Sequence, residues 1–175
     1  MSQAPTNEER LNELLDKQEI AELSYNYMRA LDRLDRDLML SVFHPDSTTD
    51  YGFFKGSGPD FVDYAQNALK DHISNQHMIG QTLIELEGDT AFGEVYYQAF
   101  HRFLIDDVET DLFVAGRYVD RYERREGTWK FAFRSELVDW VRLEPATGEG
   151  TMPGAIWGAR GADDLSSQRD RVRTL

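Results

Sequence analysis

Residues 90–104 read TAFGEVYYQAFHRFL, and this stretch decides the fold. Its aromatic and branched residues follow a period of two, the period of a strand with one face toward a core. The same pattern runs through Met78–Glu87 before it, and through Asp111–Arg124 and Thr128–Leu143 after it. Gly88-Asp89, the acidic Asp106–Glu109 turn and Glu126-Gly127 separate these runs. Connections this short join antiparallel neighbours. The C-terminal half is therefore predicted to be an antiparallel meander.

Upstream the period is helical. After a loose end at residues 1–7, Leu11, Leu14, Leu15, Ala21, Tyr25, Met28 and Leu31 predict a long amphipathic helix from about Glu8 to Leu31 or Arg33. A short second helix is predicted over Asp37–Phe43. It stops before Pro45, because the residue before proline disfavours helix. Ser47–Lys55 reads as two short strands turning at Gly52. Ser57-Gly58-Pro59-Asp60 is a helix start, with proline in the first turn and an acid at the positive helix end. Phe61, Tyr64, Ala65, Ala68 and Leu69 carry that third helix to about His72. Helices followed by a long meander define an α+β layer fold, with the helices covering one face of a curved sheet. The predicted domain spans residues 1–143. Residues 144–175 form a tail; its first part, 145–161, is loop-rich, with Pro145, Pro153 and five of the 13 glycines.

The chain has 175 residues, 41% of them hydrophobic, which suits one globular domain and excludes a disordered chain. No apolar run approaches the ~18 residues a membrane helix needs. The opening residues carry Glu8, Glu9, Arg10, Glu13, Asp16 and Lys17, so no signal peptide is expected, and a cytoplasmic location is. Cysteine is absent, which removes disulfides, thiolate nucleophiles and zinc–thiolate sites. The net charge is −13, from 19 basic and 32 acidic residues. No basic stripe interrupts that excess, so neither nucleic acid nor a membrane surface is an expected partner. A neutral, apolar small molecule is compatible with it.

Four positions stand out chemically, and two more by their place in a strand. Asp32 continues the stripe Leu14, Ala21, Tyr25, Met28, near a helix C-terminus whose negative end disfavours an anion. It is either a solvated residue just past the helix or a carboxylate placed for a purpose; Asp35 competes for the same role. His77, in Gln76-His77-Met78, is read at the start of a strand. With a carboxylate to orient it, its imidazole can act as a base near neutral pH. Tyr27 and Tyr51 are phenols that either pack at the core edge or donate to a substrate oxygen. His101 and Arg117 lie mid-strand between aromatic residues, on faces that alternation alone leaves open. An inward Arg117 would be a buried cation ready for an oxyanion; an outward one would be a cross-strand pairing residue. The four histidines, His44, His72, His77 and His101, show no metal-binding spacing, and no nucleotide or serine-hydrolase motif is present. Neither metal nor cofactor is expected.

Gln18-Glu19-Ile20, Tyr27–Asp32 and the run Gly116–Phe131 resemble the SnoaL-like branch of the nuclear-transport-factor-2-like superfamily, over about Glu8 to Leu143. The resemblance implies a cone-shaped roll, a strongly curved antiparallel or mixed sheet wrapped around N-terminal helices. It implies an Asp–His dyad at Asp32 and His77, as in the lyase members, with Tyr27 and Tyr51 matching tyrosines of a dehydratase site. His101 and Arg117 have no secure counterpart there. Expected as substrate-binding groups are Tyr51, His101 and Arg117; expected as catalytic are Asp32, His77 and Tyr27. The implied activity is that of a cofactor-independent lyase acting on a hydroxylated aromatic or polycyclic molecule. It would work by dehydration or by C–C cleavage releasing formaldehyde. An isomerase or aldol cyclase of the same fold, or a non-catalytic container for an apolar ligand, is the alternative. A homodimer or homotrimer is expected, with the tail closing the pocket or touching a neighbouring subunit.

Overall fold

The computed structural model describes residues 4–147 and 152–174. Gly148 and Gly150 of the expected tail loop, and residues 1–3 of the expected loose end, lie outside them. The chain opens with α1 (Asn7–Arg33). Thr6 and Glu9 cap it reciprocally, the Thr6 hydroxyl accepting from the Glu9 N–H and the Glu9 carboxylate accepting from the Thr6 N–H. Leu34, in the left-handed region at φ 53°, ends it. Next come α2 (Arg36–Ser41), β1 (Phe43–Asp50), β2 (Lys55–Ser57) and α3 (Gly58–Leu69). The long strands are β3 (Ser74–Glu87), β4 (Thr90–Ile105), β5 (Val108–Arg125) and β6 (Thr128–Pro145). In the tail, 3-10 turns at Gly161–Asp163 and Leu165–Ser167 precede a short α4 (Arg169–Val172).

The six strands form one mixed sheet in the order β2-β1-β6-β5-β4-β3. The meander is antiparallel throughout, as its short turns require, and β1 joins it parallel to β6. The α+β class stands. Several boundaries move for identifiable reasons. The second helix stops at Ser41 rather than Phe43, because the Val42 carbonyl accepts from the Phe131 N–H at 2.9 Å and Phe43 pairs with Phe131. Pro45 lies inside β1, where the register with β6 breaks between Phe43 and Thr48; a missing N–H is tolerated at such an irregularity. The third helix ends at Leu69, not His72, and β3 begins at Ser74, so His77 is inside its strand and not at its start. The N-terminal part of α1 exposes Leu11, Leu14 and Leu15, and Tyr25 is exposed too. The face turned inward is Ile20, Ser24, Tyr27 and Leu31, with Ala21 and Met28 beside it. No described helix is long and apolar enough to cross a membrane.

Under α1 lies a feature that periodicity did not foretell. Arg134 of β6 is 0% exposed and grips Asp120 of β5, 2% exposed, through two bonds of 2.8 Å. Its Nη2 also donates to Ser24 Oγ of α1 at 3.1 Å. The guanidinium carbon sits 3.9 Å from the Phe131 ring centre, 4.3 Å from Tyr118 and 4.4 Å from Tyr27. The Tyr122 hydroxyl donates to Asp120 Oδ2 at 2.8 Å, the oxygen that also accepts from Arg134 Nη2. Gly93, opposite on β4, leaves room for that phenol: a Cβ there would stand 2.7 Å from the Tyr122 ring. Removing one partner of a buried ion pair strands the other charge, whereas replacing both with apolar groups does not. Asp120→Asn is therefore expected to lower stability by ~3–5 kcal/mol, and Asp120→Leu with Arg134→Met to recover most of that loss. Urea unfolding midpoints of the three proteins check the ordering.

Candidate active site

Asp32 occupies the last turn of α1, where four backbone carbonyls point the same way and repel an anion. Strand β3 supplies what the helix end lacks. The His77 N–H donates to both Asp32 oxygens at 3.1 Å, and the Asn75 side-chain amide donates to Oδ1 at 2.9 Å. His77 Nδ1 lies 2.8 Å from the same Oδ1. Both side chains are nearly enclosed, 10% exposed for Asp32 and 6% for His77. A carboxylate on Nδ1 keeps the proton there and leaves the Nε2 lone pair free. Asp35, the rival acid, is spent as the N-cap of α2, accepting from the Leu38 N–H at 3.0 Å.

His77 forms part of the wall of a cavity of about 540 Å³ between α1, α3 and the sheet. Leu31, Ala65, Leu69 and Val114 make it apolar, and the exposed residues Phe53, Tyr64, Val138 and Val141 border its mouth. Tyr27 and Tyr51 both face it, their hydroxyls 2.9 Å apart. Tyr51 lies flat on Phe61, with 3.9 Å between ring centres and 5° between planes. Burial pushes both phenols above their ordinary pKa, so each remains a neutral donor. Strand alternation turns His101 inward as well. Its ring centre is 5.0 Å from that of His77, and its Nδ1 is 3.3 Å from His72 Nδ1. Burial, reinforced by the neighbouring His77 and His72, pulls the His101 pKa down to about 3, so it is neutral at pH 7.

Of the expected residues, Asp32, His77, Tyr27, Tyr51 and His101 converge. Arg117 does not. It lies on the opposite face of the sheet, 3.3 Å from Asp139 and 3.5 Å from Glu94, and is the cross-strand pairing residue rather than a buried cation. The inward cation is Arg134. Sequence reading also missed Asn75, His72 and Glu136. Glu136 sits in the cavity wall opposite Tyr118 in the strand register. Burial raises its pKa against the opposing pull of Tyr97, His77 and Arg134. A signal for Arg134 existed in Asp120, an acid in the run of inward residues Tyr118, Asp120, Tyr122, which needs a cation across the strand. For Glu136 none did, because an extra residue interrupts β6 between Phe131 and Phe133 and shifts the alternation. Among the described residues, no group of three His, Asp or Glu is arranged to hold a metal ion. No described residue of the tail lines the cavity.

Comparison with known proteins agrees with this arrangement at the level of fold. The chain is similar to a hexachlorocyclohexane dehydrochlorinase, LinA type 2, with a TM-score of 0.72 and 21% identity over 84% of this chain and 99% of that one. It is similar to a protein described as a candidate scytalone dehydratase from Novosphingobium aromaticivorans DSM 12444, with a TM-score of 0.67 and 18% identity over 82% and 97% of the two chains. An uncharacterized protein of Mycobacterium tuberculosis (strain ATCC 25618 / H37Rv) is 29% identical over 135 residues, 75% of this chain and 90% of that protein. The SnoaL-like domain pattern matches residues 12–135. A match over so much of its length, joined to a cone fold shared with lyase-type enzymes, means that the chain belongs to the SnoaL-like domain family.

Proposed function

We propose that this protein is a cofactor-independent lyase for a hydroxylated aromatic or polycyclic small molecule, with Asp32–His77 as its general base. The observation that carries the reading is the 2.8 Å contact between these two side chains at the wall of a mostly apolar cavity. A cavity of about 540 Å³ suits a substrate of two or more rings. The similar proteins named for dehydrochlorination and dehydration support elimination, since both reactions begin by removing a proton next to a leaving group.

In the dehydration, His77 Nε2 takes a proton from carbon. The C–H pair becomes the double bond as the neighbouring C–O bond breaks. The departing oxygen needs a proton to leave as water. The Tyr27–Tyr51 pair and the Glu136 carboxyl face the same space and can supply hydrogen bonds or that proton. Glu136 holds its proton to a higher pH than an ordinary carboxyl, which suits an acid opposite a base. Asp32 stabilises the imidazolium formed in the step. Were the proton taken instead from a hydroxymethyl oxygen, that oxygen's electrons would form the C=O of formaldehyde as the C–C bond breaks; the freed C–C pair would become the new double bond as the neighbouring C–O bond breaks, with water leaving as in the dehydration.

Against a panel of hydroxysteroids and diarylpropane diols, water loss or formaldehyde release identifies the bond broken. For whichever compound turns over, Asp32→Asn and His77→Gln are each expected to cut kcat by about 10²–10⁴-fold with the fold retained. Activity near that of the unaltered protein in Asp32→Asn would remove the dyad from the mechanism. Tight binding of a panel compound with no product, unchanged by His77→Gln, would instead make the cavity a container.

The half-buried His101 has a second consequence. Between pH 6.5 and about 3 the unfolded chain takes up a proton at this residue and the folded chain does not. Stability is therefore lost as pH falls through that window, and His101→Gln is expected to flatten the loss. Urea midpoints measured at pH 7 and pH 4.5 for both proteins give the comparison.

A further inference from the structure

Asn75 holds Asp32 only while its amide faces the right way. Rotated by half a turn, it would present Oδ1 to the carboxylate, and two acceptors would meet. Something must fix the orientation, and the tail provides it. Arg160 Nη2 donates to Asn75 Oδ1 at 2.6 Å, while Nη1 donates to the Lys70 carbonyl just past α3 at 3.1 Å. A guanidinium has donors and no acceptor, so it accepts only the oxygen end of the amide and turns the NH₂ toward Asp32. Asn75 is only 9% exposed, so water competes little for either end.

Arg160 is itself held by a docked strap. Arg33 Nη1 donates to the Ala159 carbonyl at 2.7 Å and reaches Asp164 at 3.3 Å. Asp164 accepts from the Ala159 N–H and the Ser166 N–H, each at 2.9 Å, and from the Ser166 hydroxyl. These bonds, the Ser166 hydroxyl first, hold its carboxyl well below the usual range, so it stays charged. Arg29 donates to Ser166 Oγ at 3.2 Å. The helix that carries Asp32 thus also carries both anchors of the strap. A cation, a polarised amide, an anion and an imidazole follow one another: Arg160, Asn75, Asp32, His77.

We infer that residues 159–166 act as a strap that sets the dyad, with Arg160 a positioning residue working through Asn75. The inference rests on the proposed lyase reading for its kinetic consequence, but its geometric consequence stands apart. Arg160→Ala in the full chain is expected to lower kcat about tenfold with KM little changed, as loss of orientation at a catalytic group does. In an Asn75→Ala background the same substitution is expected to do nothing more, because the route to Asp32 is already cut. Equal losses in both backgrounds would overturn the inference, since a general structural role would add.

Hydrogen exchange at the His77 amide, which donates to Asp32, reads the same device without substrate. Arg160→Ala is expected to speed it about tenfold while the Tyr122 amide in the sheet keeps its rate. An unchanged His77 amide would overturn the strap whatever the kinetics show. A faster His77 amide, with turnover indifferent to Asp32→Asn, would uphold the strap and remove the lyase reading instead.

Discussion

A fully buried guanidinium organises this molecule. Arg134 ties β6 to β5 through Asp120 and to α1 through Ser24, and lies beneath the rings of Tyr27, Tyr118 and Phe131. A charge without water tolerates little displacement, so the elements that satisfy it are held in register with one another. Tyr27 is among them. Its hydroxyl fixes Tyr51, and Tyr51 is stacked on Phe61 of α3. The floor of the cavity and the placement of two of its phenols follow from one ion pair.

The second constraint is a carboxylate at the wrong end of a helix. Asp32 gains nothing from α1, whose C-terminal carbonyls oppose it. It is held from β3 instead, by the one His77 backbone N–H that reaches both its oxygens and by the Asn75 amide that the tail orients. Its Oδ1 meets Nδ1 of His77 at 2.8 Å, and His77 lines the mostly apolar cavity. An acid facing solvent would be more comfortable and would orient nothing.

How far the sequence showed this depends on which period survived folding. The helical spacing of α1 located Asp32 on the stripe that includes Ala21 and Met28, and the structure keeps it there. Leu14 and Tyr25, assigned to the same stripe, are exposed: Leu14 precedes the first buried position of α1, Ile20, and Tyr25 faces outward between the buried Ser24 and Tyr27. Strand alternation placed His101 correctly once one neighbour was known to face inward. It could not place Glu136, because the extra residue in β6 exchanges the faces between Phe131 and Arg134. The same bulge turns Arg134 inward, whereas on β5 plain alternation beside the inward Tyr118 turns Arg117 outward to Asp139 and Glu94.

The sequence by itself determined the α+β class and the antiparallel meander. Those features are local: periods, caps and turn lengths are written in neighbouring residues. Only the tertiary structure decided that Asp32 and His77 touch across 45 positions, that His72 comes to rest against His101, and that Arg160 reaches Asn75 from the far end of the chain. Contacts of that kind depend on how a helix end, a strand and a strap are stacked in space, and no spacing along the chain encodes the distance between them.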